Sequence, residues 1–342
     1  MPDLTPLSAL GEFALINRLK KNIANTQPST VLGIGDDAAI IAPAAGQEVV
    51  VTTDLLVEGI HFDLSFCPLR HLGYKAVAVN VSDVAAMNAL PTQLVVALSA
   101  GPRFTVEAVE ELYAGIRLAC EAYGVDLVGG DTTASRGGLT LAITVLGEAP
   151  AGGAVRRSGG QPTDLLCVSG DLGGAFLGLQ VLEREKQAFL ADPDTQPELA
   201  NYEYVVQRQL RPEARLDIVH ELRELGVRPT SMIDISDGLA SEVLHLCAAS
   251  GTGARVFSEF LPLANPTLEA AAEFNFDPIT CALNGGEDYE LLFTVPVTDH
   301  EKLKNHPDIT VIGHLTAPAE GANLITQAGQ PGPLQAQGWT SF

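Results

Sequence analysis

The chain has 342 residues, 46% of them hydrophobic and 18% charged, which is ample material for buried sheets and helices and excludes a disordered chain. At this length two domains are expected rather than one core. The formal net charge of −22 excludes a nucleic-acid or anionic-membrane partner, because phosphate surfaces need Lys and Arg to neutralise them, so an anionic substrate must be brought in by metal.

In chain order, Leu10 to Lys21 has helical spacing at Phe13, Ile16 and Leu19, and GIGDDAAII (33–41) opens a strand-rich stretch. VVVTTD (49–54) reads as a strand carrying polar residues at its C-terminal end. Between His71 and Ala89 the Ala-rich composition predicts a helix interrupted by NVSD (80–83). QLVVALSA (93–100), VDLV (125–128) and LTLAITVLG (139–147) are expected strands, and TVEAVEELYAGIRLACEAYG (105–124) an amphipathic helix between the first two. Together these predict an α/β or α+β N-terminal domain over 1–148. The Gly/Pro-rich segment 147–164 marks the boundary to a C-terminal α/β domain over 149–342.

The second half begins with the strand LLCVSG (165–170) and the helix GGAFLGLQVLEREKQAFL, followed by a polar loop at 191–198. RPEARLDIVHELRELG (211–226) has helical periodicity with Pro212 in its first turn. SMIDISDGLASEVLHLCAASG predicts a short strand, an acidic turn and a helix ending at Gly251. ALNGGEDYELLFTV (282–295) predicts a glycine turn entering a strand. NVSDVAAM and DISDGLAS both set Ser-Asp at the entrance to a small-residue helical stretch, a faint echo between the halves.

Five cysteines are widely spaced, with no CxxC pair and no His at zinc-ligand spacing, so reduced, buried thiols are expected. No stretch of about 18 apolar residues occurs and the N-terminus lacks a basic region before an apolar core, so the expected location is the cytoplasm.

Four aspartate-bearing segments, GIGDD (33–37), TTD (52–54), NVSD (80–83) and GGDTT (129–133), read as turns within one hundred residues. Gathered carboxylates repel one another unless cations fill the gap, and Mg²⁺ prefers such oxygen ligands. Asp36 or Asp37 follows glycines that permit close ion approach. Thr52 and Asp54 share one strand face while Thr53 points the other way. Asp83 interrupts an apolar run, where it either faces an ion or caps a helix. Asp131 ends a strand behind Gly129 and Gly130, facing phosphate or simply closing a hairpin. In the second half Asp234, Ser236 and Asp237 suit a further Mg²⁺ on nucleotide phosphates, although Asp237 could be only a cap, and GGEDYE adds Glu287, Asp288 and Glu290. His61 suits an anionic ligand and Arg157 a transferring phosphate; a surface role is the ordinary reading of each.

Neither a Walker-type phosphate loop nor the protein-kinase HRD and DFG pair occurs, so phosphates would be held chiefly by metal. An EF-hand pattern is also missing, which argues against a Ca²⁺-ordering scaffold as the rival class.

Taken together, GIGDDAA, TTDLLVEGIHF, YKAVAVNVSDVAAMNA, LVGGDTT, RRSGGQPTD, RQLRPEAR, IDISDGL, NGGEDYELLFTV and GWTSF resemble the thiamine-monophosphate kinase family, in order over nearly the whole chain. Several of these elements are shared with aminoimidazole ribonucleotide synthetases, selenophosphate synthetases and a hydrogenase-maturation dehydratase; GGEDYEL with EGIHF is particular to the thiamine enzymes. The resemblance implies an N-terminal ferredoxin-like sheet that pairs in a homodimer and a C-terminal α/β domain closing a cleft. It implies transfer of the ATP γ-phosphoryl group to thiamine monophosphate; because the accepting phosphate oxygen is already ionised at neutral pH, direct in-line transfer without a general base is expected. It further implies Mg²⁺ ligation by Asp37, Thr52, Thr53, Asp54, Asp83, Asp131 and Asp234, with Asp237 on an additional ion. Tyr113, Gly130, Asp131, Arg157 and Ser236 would contact ATP, and His61, Glu287 and Trp339 the thiamine substrate; Asp54, Asp131 and Arg157 would act at the transferring phosphate. Where the family usually carries Tyr or another aromatic near its C-terminus, Trp339 stands here. An amidine-forming, ATP-dependent relative is the competing reading.

Overall fold

A computed structural model describes residues 4–194 and 196–338. The chain divides into two compact units, Met1–Val84 with Ala89–Gly153, and Ala85–Asn88 with Ala154–Phe342. Each has its own sheet, as expected for an α/β (α+β) chain.

The first unit opens with helices α1 (Leu7–Leu10) and α2 (Glu12–Lys20) and the short pair β1 (Thr30–Leu32) and β2 (Ile40–Ile41). Its main sheet has four strands, β3 (Gln47–Val57), β4 (Leu90–Ala100), β5 (Asp126–Ala134) and β6 (Thr140–Pro150), in the order β3-β6-β4-β5. Helices α3 (Leu69–Ala86) and α4 (Val106–Tyr123) complete it. β4 and β5 run parallel, joined through α4 as a parallel pair requires, and the other pairings are antiparallel. Thr105 starts α4 by accepting the Ala108 N–H on its side chain, and Gly124 ends it at φ 66°, a left-handed position suited to glycine.

One face of this sheet buries Leu94, Val96, Leu98, Leu141, Ile143 and Val145, and α3 lies against it. α3 and α4 cross at glycines: a Cβ on Gly115 would stand 1.9 Å from the Arg70 carbonyl oxygen, and one on Gly73 2.0 Å from that of Leu112. Gly115→Ala is therefore expected to cost at least about 1–3 kcal/mol, read as a lower denaturant midpoint with an unchanged slope. The opposite face is open on β3, where Val49, Val51 (61% exposed) and Leu55 alternate with the half-buried residues Val50, Thr52 and Asp54.

Three of the four expected aspartate turns are regular structure instead. β3 runs three residues past Asp54, β5 carries GGDTT within its length, and α3 passes through NVSD without a break. Asn80 is accommodated because its amide donates back to the Ala76 carbonyl at 2.9 Å while its Oδ1 accepts the Asp54 N–H at 3.0 Å. Gly130 lets β5 continue beside β4, since a Cβ there would meet the Val96 carbonyl oxygen at 2.1 Å. Neither Ser82 nor Asp83 caps a helix, and the echo between NVSD and DISD is not structural: Asp83 sits inside α3, whereas Asp237 precedes a helix.

The second unit holds β7 (Leu165–Ser169), β8 (Ser231–Asp234), β9 (Gly253–Phe257), β10 (Leu291–Val295), β11 (Ile309–Thr316), β12 (Ala322–Ile325) and β13 (Pro331–Pro333), in the order β13-β12-β9-β11-β7-β10-β8. Its helices are α5 (Gly174–Ala191), α6 (Glu203–Leu210), α7 (Leu216–Glu224), α8 (Leu239–Ser250), α9 (Asn265–Glu273), α10 (Pro278–Asn284) and α11 (His300–Leu303). Leu239, Val243 and Leu246 of α8 pack with Leu166, Ile233, Val256, Leu292 and Ile312 of the sheet, and a second cluster joins α5, α6, α9 and α10 through Leu177, Val181, Val205, Ala270 and Cys281. α7 begins at Leu216, later than the periodicity from 211 suggests, because Arg215 turns inward to Glu290. All five cysteines are buried and none forms a disulfide. Among the described residues no helix is long and apolar enough to cross a membrane.

Candidate active site

In the first unit, β3 and α3 bring Thr52, Asp54 and Asp83 together. Thr52 Oγ1 donates to Asp83 Oδ2 at 2.5 Å, and Asp54 shares that face of the strand, its backbone fixed by Asn80. Burial, then the charge of Asp83, pushes the Asp54 carboxyl up to about 6. A half-buried carboxylate pair beside a hydroxyl presents hard oxygens of the kind a divalent cation prefers.

Thr53 and Asp131 lie elsewhere on the sheet. Thr53 bonds Thr144 at 3.0 Å on the open face, and the pairing Ala97↔Asp131 and Ala97↔Ala142 carries Asp131 to that same face. Asp131 is exposed, its Oδ1 accepting the Thr132 N–H. Asp37 is exposed in the Gly33–Ala39 loop, where its N–H donates to Asp36. Tyr113 is buried on α4, and burial pushes its hydroxyl up to about 12. Among the described residues no group of three or more His, Cys, Asp or Glu side chains is gathered closely enough to hold a metal unaided.

The EGIHF segment is a tight turn after β3. Exposed His61 accepts the Val57 N–H on Nδ1 at 3.0 Å. Glu58 is the clamp of this turn, which sequence reading missed. It pairs with Arg103 and accepts the Leu139 N–H at 2.7 Å, and these bonds hold it below the usual carboxylate range although burial works the other way.

In the second unit Asp234 closes β8 in a buried position, and Ser236 and Asp237 follow in the loop before α8. Asp237 does not cap the helix; its N–H donates to Glu242 Oε1 at 3.2 Å. Burial, with the charges of Asp237 and Asp234, pushes Glu242 up to about 8, against the pull of the backbone N–H bonds it accepts. GGEDYE is zipped onto this loop: the Glu287 N–H donates to the Ser236 carbonyl at 2.7 Å and the Tyr289 N–H to that of Ile235 at 2.8 Å. Glu287 and Tyr289 hold positive φ of 58° and 52°, uncommon for non-glycine residues.

The acids of GGEDYE have partners in RQLRPEAR. Arg208 reaches Glu290 at 2.9 Å, the Asp288 carboxylate at 3.8 Å and the Asp171 carbonyl at 2.9 Å. Gln209 donates to Glu287 at 2.7 Å, and Arg215 meets Glu290 at 2.6 Å. Fully buried Asp288 also accepts the Gly173 N–H ahead of α5. Arg157 is exposed in the linker, and Trp339 lies outside the described residues.

The sequence profile of the AIR synthase related protein N-terminal domain matches residues 35–149. A thiamine-monophosphate kinase from Salmonella typhimurium is 36% identical over 339 residues, covering 98% of this chain and 99% of the relative. The chain belongs to the thiamine-monophosphate kinase family. Among solved structures, a family member from Stenotrophomonas maltophilia matches with TM-score 0.78 and 34% identity, over 94% of this chain and 98% of that one. "AaThiL complexed with AMPPCP and TMP" matches with TM-score 0.77 and 34% identity over 98% of each. These alignments span 94% and 98% of the chain, so the likeness extends over both units.

Proposed function

We infer that this protein phosphorylates thiamine monophosphate with ATP, giving thiamine diphosphate and ADP in thiamine diphosphate biosynthesis. Full-length similarity to the thiamine-monophosphate kinases carries this reading, together with the likeness to a family structure bound to an ATP analogue and TMP. The donor set fits Mg²⁺: Thr52, Asp54 and Asp83 offer hard oxygens, and their mutual repulsion is relieved by a cation. Asp37, Thr53 and Asp131 are further proposed Mg²⁺ ligands of the first unit, and Asp234 and Asp237 of the second. When bound, Mg²⁺ neutralises the charge between donor and acceptor polyanions.

Within this proposal Tyr113, Gly130, Asp131, Arg157 and Ser236 contact ATP. Asp54, Asp131 and Arg157 act at the transferring phosphate, and His61 and Glu287 meet the thiamine substrate. The accepting phosphate oxygen is ionised at neutral pH, so the chain has only to align two reactants and exclude water. A rapid-quench experiment with γ-labelled ATP is expected to reveal no labelled protein at any time; a phosphoenzyme would contradict direct transfer.

An acceptor panel tests the assignment. Thiamine monophosphate should be the compound that drives ADP release, whereas release driven by an amidine-forming acceptor with no thiamine diphosphate would assign the chain to the competing chemistry.

We further propose a cytoplasmic homodimer paired along β3. An eleven-residue strand with an exposed row of Val49, Val51 and Leu55 is an edge that soluble proteins cover. Sedimentation should give a dimer for the native chain and a monomer for the pair Val51→Lys and Leu55→Lys; a monomeric native chain would remove this proposal.

A further inference from the structure

We propose that Glu242 is a positioning residue for divalent-cation binding at the Asp234–Asp237 loop, holding Asp237 and, once the cation is bound, supplying a third negative charge behind it. The proposal rests on the reading of that loop as a cation site.

Glu242 is 2% exposed in the first turn of α8. One carboxylate oxygen accepts the Asp237 N–H; the other, Oε2, is buried with no hydrogen-bond partner among the described residues. The charges that reach it, those of Asp234 and Asp237, are of its own sign. A residue that served only to tie down the loop would need one acceptor oxygen, and glutamine supplies that without a buried charge. An orphaned carboxylate oxygen beside two aspartates is costly unless a cation is present to answer it.

The loop is rigid enough for such a role. Ser236 and Ile235 carbonyls are held by Glu287 and Tyr289. Gly238, at φ 116°, packs so closely on Leu283 that a Cβ would stand 2.7 Å from its carbonyl oxygen. Gly338 closes the other side, where a Cβ would come within 2.1 Å of the Asp237 carbonyl oxygen. The three carboxylates are not close enough to coordinate one ion as a set, so Glu242 acts through Asp237 and by its charge rather than as a ligand.

Calorimetric titration of the full-length protein with Mn²⁺ tests this. Glu242→Gln keeps the bond to the Asp237 N–H and removes the charge, and should weaken one class of Mn²⁺ sites by about tenfold, as loss of an outer-shell carboxylate does. Glu242→Asp, which keeps the charge, should recover part of that affinity, and answers the same question if the glutamine variant does not fold. Combined with Asp237→Asn, Glu242→Gln should add no further loss. Mn²⁺ binding by Glu242→Gln equal to the native protein, or a full additional loss in the double variant, would overturn the proposal. A native protein that binds Mn²⁺ with this Glu242 dependence yet forms no thiamine diphosphate would sink the kinase assignment alone.

Discussion

Asp83→Asn should lower kcat by on the order of 10²–10³ while leaving the metal-free protein as stable as the native chain or more so. Asparagine keeps an acceptor for Thr52 Oγ1, so the helix–strand contact survives, and only the charge is removed. That charge is one cause of the raised Asp54 pKa. A carboxyl raised to about 6 in the folded state contributes stability that is fully present below its unfolded value and lost as pH rises through about 6. Without metal, the native protein should thus lose stability between about pH 4 and pH 7 by on the order of 2 kcal/mol. The Asp83→Asn protein should lose less, and should exceed the native chain at pH 8 by on the order of 1 kcal/mol. Thermal midpoints in chelator across this range, set beside kcat at saturating Mg²⁺, check both halves. An active Asp83→Asn enzyme, or one less stable at pH 8, would show that the pair is a packing feature rather than a cation site.

Arg208→Met should cost about 3–5 kcal/mol, because it strips a buried cation from two buried carboxylates. Asp288 is left with backbone donors and Glu290 with Arg215 and Ser169. Arg208→Lys should recover little, since a point charge cannot span Glu290 and the Asp171 and Asp288 carbonyls as the guanidinium fork does. Urea midpoints of the three proteins measure this, and near-native stability of Arg208→Met would mean that the network is dispensable. Because Gln209 and Glu287 lie in the same interlocked segments, the methionine variant should also raise KM for thiamine monophosphate.

The family was legible in the sequence because its motifs are short, ordered and rich in Asp and Gly, and amphipathic elements such as α4 and the strand–loop–helix around Asp237 were legible from periodicity. What the motifs do was less so. NVSD looked like a break because α3 is buried on nearly every side and has no polar face to mark its period. TTD and GGDTT looked like strand ends because polar residues inside a strand resemble a stop, yet ladder partners on β6 and β4 carry both strands onward. The structural role of Asp288 and Glu290 was hidden too, since a lone sequence cannot show that arginines some 80 residues earlier pair with them. Glu242 and Glu58 belong to no pattern of spacing, and only three-dimensional neighbours reveal them. The meeting of Thr52 with Asp83 was foreseeable only as a demand that a buried acid have a partner.

The most direct test follows the phosphoryl group itself by ³¹P spectroscopy of the purified protein with ATP and thiamine monophosphate. With Mg²⁺ present, thiamine diphosphate and ADP should appear in equal amounts, and with chelator neither should form. ATP loss without thiamine diphosphate, or transfer undiminished in chelator, would contradict the account.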